Sequence, residues 1–262
     1  MGLEHILYII FSLIFVTGVE IAGKFIKNQK WKDCYLAFWA LACFFIHISV
    51  MYVSFLENNR EGIGTGDVYD NHIFPVYFCN FVMYMQLVVT FWFDKKTKLY
   101  QNIATFTAWG GIFGALITLF TTPPGISQWW SLQSALSHTC LLITSLYLFV
   151  GGYVKLSVFN VVPYAFGILA SGAVGGAVIL IYYLNGLPIP NAMYLLHGPE
   201  ECPPMHGGYF AILMLLIMFI FLVIWEQFTR KPEDRWYKTA KDIAVYLPIK
   251  KYQNDSNLVE ND

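Results

Sequence analysis

The chain has 262 residues, of which 57% are hydrophobic, 18% aromatic and 13% charged, with a mean hydropathy of +0.53 and a formal net charge of −1. A soluble domain carries about 25% charged residues, so this composition cannot cover a water-facing surface and excludes a soluble globular protein. No basic block is long enough to hold nucleic acid.

The first predicted element runs from Ile6 to Phe25. No positively charged stretch precedes it and no small-residue cleavage step follows, so it reads as a retained helix rather than a cleaved signal peptide. Glu20 lies near its inner end, where a carboxylate snorkels to the interface. The next apolar runs are Cys34 to Leu56, Ile73 to Phe93, Ile103 to Thr121, Leu132 to Tyr153, Val161 to Leu184 and Gly208 to Phe228. Each approaches the roughly 20 residues that a helix needs to cross the hydrocarbon core. In lipid every backbone polar group must bond internally, so these are helices rather than open strands. The expected fold is all-α, a polytopic membrane bundle of about seven transmembrane helices.

The connections give the orientation. The first carries Lys24, Lys27, Lys30 and Lys32, the third Lys95, Lys96 and Lys98, the fifth Lys155, and the tail Arg230, Lys231, Arg235, Lys238 and Lys241. The alternate connections are poor in Lys and Arg; one has Arg60 among Glu57, Glu61, Asp67 and Asp70. Positive loops stay in the cytoplasm, which puts the N-terminus outside and the C-terminus inside. An error in the count would break the alternation. Residues 1–229 form the transmembrane domain and 230–262 a cytoplasmic tail, expected to hold a short helix and a disordered end. Gly110 with Gly114 and Gly172 with Gly176 form two small-residue pairs of the kind that lets helices approach closely, here inside one bundle. Trp129 and Trp130 read as interface anchors.

Within these runs the sparse polar residues are the candidate site. His47, Cys79 and His138 fall in three different spans, at about 9–12 Å below the outer ends when depth is counted at 1.5 Å per residue. Ionisable groups at such depth are costly and mark function by default. Ser134, His138 and Ser145 share a face of the fifth span, Cys79 and Gln86 a face of the third, and Cys43, His47 and Ser54 a face of the second. A thiol attacks an acyl carbonyl as thiolate, and an imidazole supplies the base. Cys79, His138 and His47 are therefore the candidate catalytic residues, with Tyr77, Asn80, Gln86 and Ser134 as candidates for holding the ring, the oxyanion or the substrate. The bland alternative is that buried Cys acts as a small hydrophobe and intramembrane His bonds a neighbouring helix. The five cysteines are scattered and form no disulfide framework or zinc spacing. In the loop from Asn185 to Gly207, His197, Glu201 and His206 fit no metal-ligand spacing, so a solvated lid is expected there and no metal or cofactor is implied.

Several stretches resemble a known family. Phe74-Pro75-Val76-Tyr77-Phe78-Cys79-Asn80 is similar to the Leu-Pro-Leu-His-Leu-Cys motif of YwaF-type bacterial integral membrane proteins. Trp109-Gly110-Gly111 through Gly114-Ala115, Leu119 and Thr122-Pro123, then Ser137-His138, then Pro190-Asn191-Ala192-Met193-Tyr194-Leu195 with Pro199, resemble that family's later motifs in the same order. Tyr77 stands where the family has His, and Ala192 where it has Tyr. The resemblance implies a seven-helix fold, a bacterial cytoplasmic membrane, a substrate-side role for Asn191, and kinship with eukaryotic acyltransferases that remodel ether phospholipids through Cys and His. An outer-leaflet site sees phospholipid esters and no acyl-coenzyme A, so membrane lipids are the expected partners and transacylation or hydrolysis the expected reaction. The alternatives are a transporter or binding component for a small solute or lipid, and a non-catalytic subunit of a larger membrane complex.

Overall fold

The computed structural model describes residues 2–58, 76–122, 129–186, 189–196, 198 and 206–238. Among the described residues there are seven α-helices and no strand: α1 (Leu3–Lys24), α2 (Gln29–Asn58), α3 (Phe78–Thr90), α4 (Lys98–Thr121), α5 (Trp129–Val150), α6 (Val161–Leu184) and α7 (Gly207–Thr229). All but α3 are long and apolar enough to cross a membrane. α4 and α5 bury most of their surface and form the centre, flanked by α1, α2 and α3; α6 and α7 lie at the periphery and turn much apolar surface outward.

The ends of the helices are tied by polar contacts that sort the connections onto two sides. Asp33 accepts hydrogen bonds from Lys95 Nζ at 2.6 Å, from Tyr153 Oη at 2.7 Å and from Gln29 Nε2 at 3.2 Å, joining the first, third and fifth connections. Burial and the Asp33 carboxylate hold the Tyr153 phenol well above the usual range, so it stays a donor. Glu226, fully buried near the end of α7, accepts from Val158 N at 2.8 Å and Trp236 N at 3.0 Å, tying the fifth connection to the tail. At the opposite end, His5 Nε2 donates to Leu119 O at 2.9 Å and Tyr8 Oη to Ala135 O at 2.8 Å, setting the start of α1 beside the end of α4 and the start of α5. The lysine-bearing connections thus gather at one end and the N-terminal end of α1 lies at the other. This is the geometry of an odd number of passes.

The third span differs from the sequence expectation. The predicted helix began at Ile73; that residue lies outside the described ones, but Val76 and Tyr77 are not helical, and α3 begins at Phe78 after an N-cap Tyr77 in extended conformation (φ −100°, ψ 150°). Its 13 residues span about 20 Å, short of the roughly 30 Å hydrocarbon core. With its last turn at the membrane boundary on the side of the Lys95 connection, its first turn would lie about 10 Å below the opposite boundary. Non-helical backbone at that depth must be buried in protein or line a cavity, and both hold: Val76 is 1% exposed and accepts a hydrogen bond from Met193 N at 2.6 Å, while Tyr77 lines a large cavity. In the tail, the described residues hold only a short 3-10 turn, Pro232–Asp234, with Trp236 packed on Phe219; the expected disordered end lies outside the described residues.

Candidate functional site

A cavity of about 800 Å³ opens between α3, α4, α5, α6 and α7 at the end of the bundle opposite the lysine-bearing connections. That volume lies in the usual range of ligand sites, about 300–1,000 Å³. His47 of α2, Cys79 of α3 and His138 of α5 all line it, as do Tyr77, Asn80 and Ser134. Gln86 does not: it sits two turns deeper, where its Nε2 donates to Leu141 O at 3.0 Å and Ser145 Oγ at 2.9 Å, a buried tie between α3 and α5. Asn191 also stays off the wall; its Oδ1 accepts from Leu196 N at 3.1 Å and closes the turn that follows it. Cys43 is buried against α5, its thiol donating to Ser137 O at 3.3 Å. The side chain of Ser54 and residues His197 and Glu201 lie outside the described ones, and His206 serves as the N-cap of α7 with its ring against Tyr209.

Cys79 is the second residue of α3, not a residue about 9 Å inside a helix beginning at Ile73, as the sequence suggested. No side chain caps that terminus, so backbone N–H groups and the positive end of the helix dipole face the cavity around the sulfur. Thr118 of α4 lines the cavity beside the thiol, its hydroxyl donating to Gly114 O at 3.0 Å. Gly114 supplies the room: a Cβ there would stand 3.0 Å from Cys79 Sγ.

His138 has a determined tautomer. Its Nδ1 lies 2.8 Å from Ser134 O. A carbonyl oxygen only accepts, so Nδ1 carries the proton and Nε2 keeps its lone pair. The i−4 carbonyl thus orients the ring and leaves the other nitrogen basic. Gln133, buried at the same level, donates through Nε2 to His47 O at 3.1 Å and fixes the α2 backbone that carries the second imidazole.

The walls are chemically divided. α2, α3 and α5 contribute the polar side chains of His47, Asn80, Gln133, Ser134, Ser137 and His138, while α4, α6 and α7 contribute mainly apolar ones, Phe113, Ile117, Ile168, Leu169, Phe210 and Met214, with Thr118, Thr121 and Ser171 among them. Above them the turn Ala192–Tyr194 forms a rim. Met193 (φ 54°) and Tyr194 (φ 52°) are both left-handed, a strain of about 1–3 kcal/mol each that the surroundings must hold. They are held by the bond from Met193 N to Val76 O, by the Tyr77 ring 5.8 Å from that of Tyr194, and by Gly175 and Gly207, whose missing side chains admit the Met193 side chain and carbonyl.

Residue patterning did not single out Gln133, Ser137, Thr118, Met193 or Tyr194. The signal for Gln133 was visible, as an amide side by side with Ser134 in an apolar run. The signal for the late start of α3 was Pro75, which leaves the ladder one donor short and fixes φ just ahead of the thiol. Among described residues no cluster of three or more His, Cys, Asp or Glu side chains is arranged to hold a metal ion.

Among curated proteins and solved structures, none matches the sequence. Residues 1–229, the whole membrane bundle, match the TMEM164 family, a family of transmembrane proteins to which this chain belongs.

Proposed function

We propose that the protein is a phospholipid acyltransferase working by transacylation in the outer half of the bilayer, with Cys79 as nucleophile and His138 as general base. The observation that carries this reading is the meeting of His47, Cys79 and His138 on one cavity, with the thiol in the uncapped first turn of α3. His138 Nε2 removes the thiol proton while Ser134 O keeps the ring in place. The thiolate adds to an ester carbonyl of a phospholipid, and the oxyanion forms beside the amide end of α3. Collapse expels the glycerol oxygen, which takes the proton from His138, and leaves a Cys79 thioester and a lysolipid. A second lysolipid hydroxyl then gives its proton to His138, attacks the thioester, and leaves with the acyl group as the thiol is restored. Tyr77 and Asn80 flank the nucleophile, and His47, its backbone held by Gln133, lines the polar wall on which a headgroup would rest.

The resemblance to the YwaF-type family and its acyltransferase kin agrees with this chemistry. The half-length α3 also suits a transporter, since half-helix N-termini near the midplane hold anionic solutes. One experiment separates the two. Protein in lipid nanodiscs is incubated with a phospholipid carrying an alkyne-tagged acyl chain. A hydroxylamine-sensitive adduct on Cys79 is expected, lost in Cys79→Ala and formed about 10²–10⁴-fold more slowly in His138→Gln. Folded protein that binds the lipid yet never forms the adduct would refute acyl transfer and favour the transporter.

A further inference from the structure

The cavity reaches the lipid-facing surface on one side only partly closed by side chains. Leu169 lines it, yet is 69% exposed on the outside of α6. One turn on, Gly172 also lines it, and a Cβ built there meets no atom within 4 Å. Gly175, on the adjoining face of the same helix, is the opposite case: its missing side chain is filled by Met193, whose Cγ would lie 2.6 Å from the added carbon. The turn Ala192–Tyr194 therefore closes the outer rim and stops short of Gly172. Across the gap stand Phe210, Ala211 and Met214 of α7, a helix that buries little of itself against the rest of the bundle. Among the described residues the gap is bordered by Leu169, Gly172, Phe210, Ala211 and Met214, apolar or glycine, and inward it continues into the chamber lined by His47, Ser134 and His138.

A channel that is apolar at the membrane and polar at its end fits one class of molecule, an amphiphile that keeps its chain in hydrocarbon while its ester region reaches inward. We propose that the gap between α6 and α7 at Gly172 is a lateral portal that seats one acyl chain of a membrane glycerolipid, and that Gly172 is the residue that keeps it open. The fate of the seated ester at Cys79 rests on the proposed acyl transfer; seating the chain needs no chemistry. A side chain at Gly172 has space to occupy, so a large one fills the portal without displacing a neighbour.

The test uses the full chain in nanodiscs with a phosphatidylcholine bearing a diazirine in one acyl chain, and reads photo-adducts on the peptide that holds Phe78–Asn80, the inner wall. The wild type is expected to carry adducts there, and Cys79→Ser to carry them equally, which separates this result from any failure of acyl transfer. Gly172→Leu is expected to reduce them several-fold and Gly172→Trp at least 10-fold. Gly18→Trp, on the exposed face of α1 where a Cβ also meets nothing within 4 Å, is expected to change nothing. Adducts that persist in Gly172→Trp, or that are absent from the wild type, would overturn the portal.

Discussion

Gly114 sets the space around the Cys79 sulfur. A methyl there comes 3.0 Å from the Cys79 sulfur, closer than ordinary packing, and the sulfur is the atom that must give way. A displacement of the order of 1 Å at a reacting atom costs up to about 10²-fold in rate, whereas overpacking at one site costs about 1–3 kcal/mol of stability. Gly114→Ala should therefore slow Cys79 thioester formation about 10-fold and Gly114→Val about 10²-fold, while the thermal midpoint falls by only a few degrees; equal rates would show that the sulfur does not hold its position against α4. Part of this was legible. The Gly110 and Gly114 spacing announces a close helix approach, and α3 does come close, with Val82 Cγ2 3.0 Å from a Cβ at Gly110. That the residue opposite Gly114 is Cys79 was not legible, because the period of one helix says nothing of its register against another. The same spacing at Gly172 and Gly176 ends differently, in open space. Gln86 shares the Cys79 face, but seven residues is about 10 Å along the axis, enough to move it from the cavity to the core.

Among the elements, α3 and α7 depart furthest from a plain apolar helix. α3 owes its place to contacts outside itself: a 13-residue helix starting in the bilayer needs its leading backbone bonded, and Met193 N supplies that bond at Val76 O. Sequence reading found the apolar run and missed its start, because Pro75 is tolerated in a helix's first turn as well as before it. α7 is held where it matters by Glu226. This carboxylate has no exposed surface, and it accepts from Val158 N, Ser157 Oγ and Trp236 N, with Arg230 Nη1 at 3.4 Å. Removing it leaves buried donors unpaired at about 1–3 kcal/mol each. Glu226→Ala should therefore cost about 3 kcal/mol in denaturant unfolding in micelles and free Trp236 from Phe219, seen as a red-shifted tryptophan emission. Glu226→Gln keeps one acceptor oxygen and should cost about half as much. A neutral result for alanine would mean that water replaces the carboxylate at the end of α7. Nothing in the sequence marks Glu226 beyond its being the sole acidic residue in the last span, since its partners come from residues about 70 positions earlier and from the tail.

For the whole molecule, the alternation of charge and the contacts at the two ends carry the same information by independent routes. Asp33, Lys95 and Tyr153 bind three lysine-bearing connections together, and Glu226 adds the tail; His5 and Tyr8 hold the start of α1 at the far end, the end of the cavity. Geometry fixes which segments share a side, and the positive-inside rule says which side faces the cytoplasm. With Cys34 and Cys202 replaced by Ser, a cysteine introduced at Asn28 should react with a membrane-impermeant maleimide only after the membrane is permeabilised, and one at Asn185 should react in intact cells. The orientation decides the chemistry open to the cavity. Under the proposed acyl transfer, a cavity facing the outer leaflet would meet phospholipid esters and no acyl-coenzyme A, so acyl groups would move from lipid to lipid. Added acyl-coenzyme A should then leave the rate of Cys79 loading unchanged in sealed, right-side-out vesicles and a diacyl phospholipid should raise it. The reverse labelling pattern would turn the same cavity toward the cytoplasm and make acyl-coenzyme A the donor to test first.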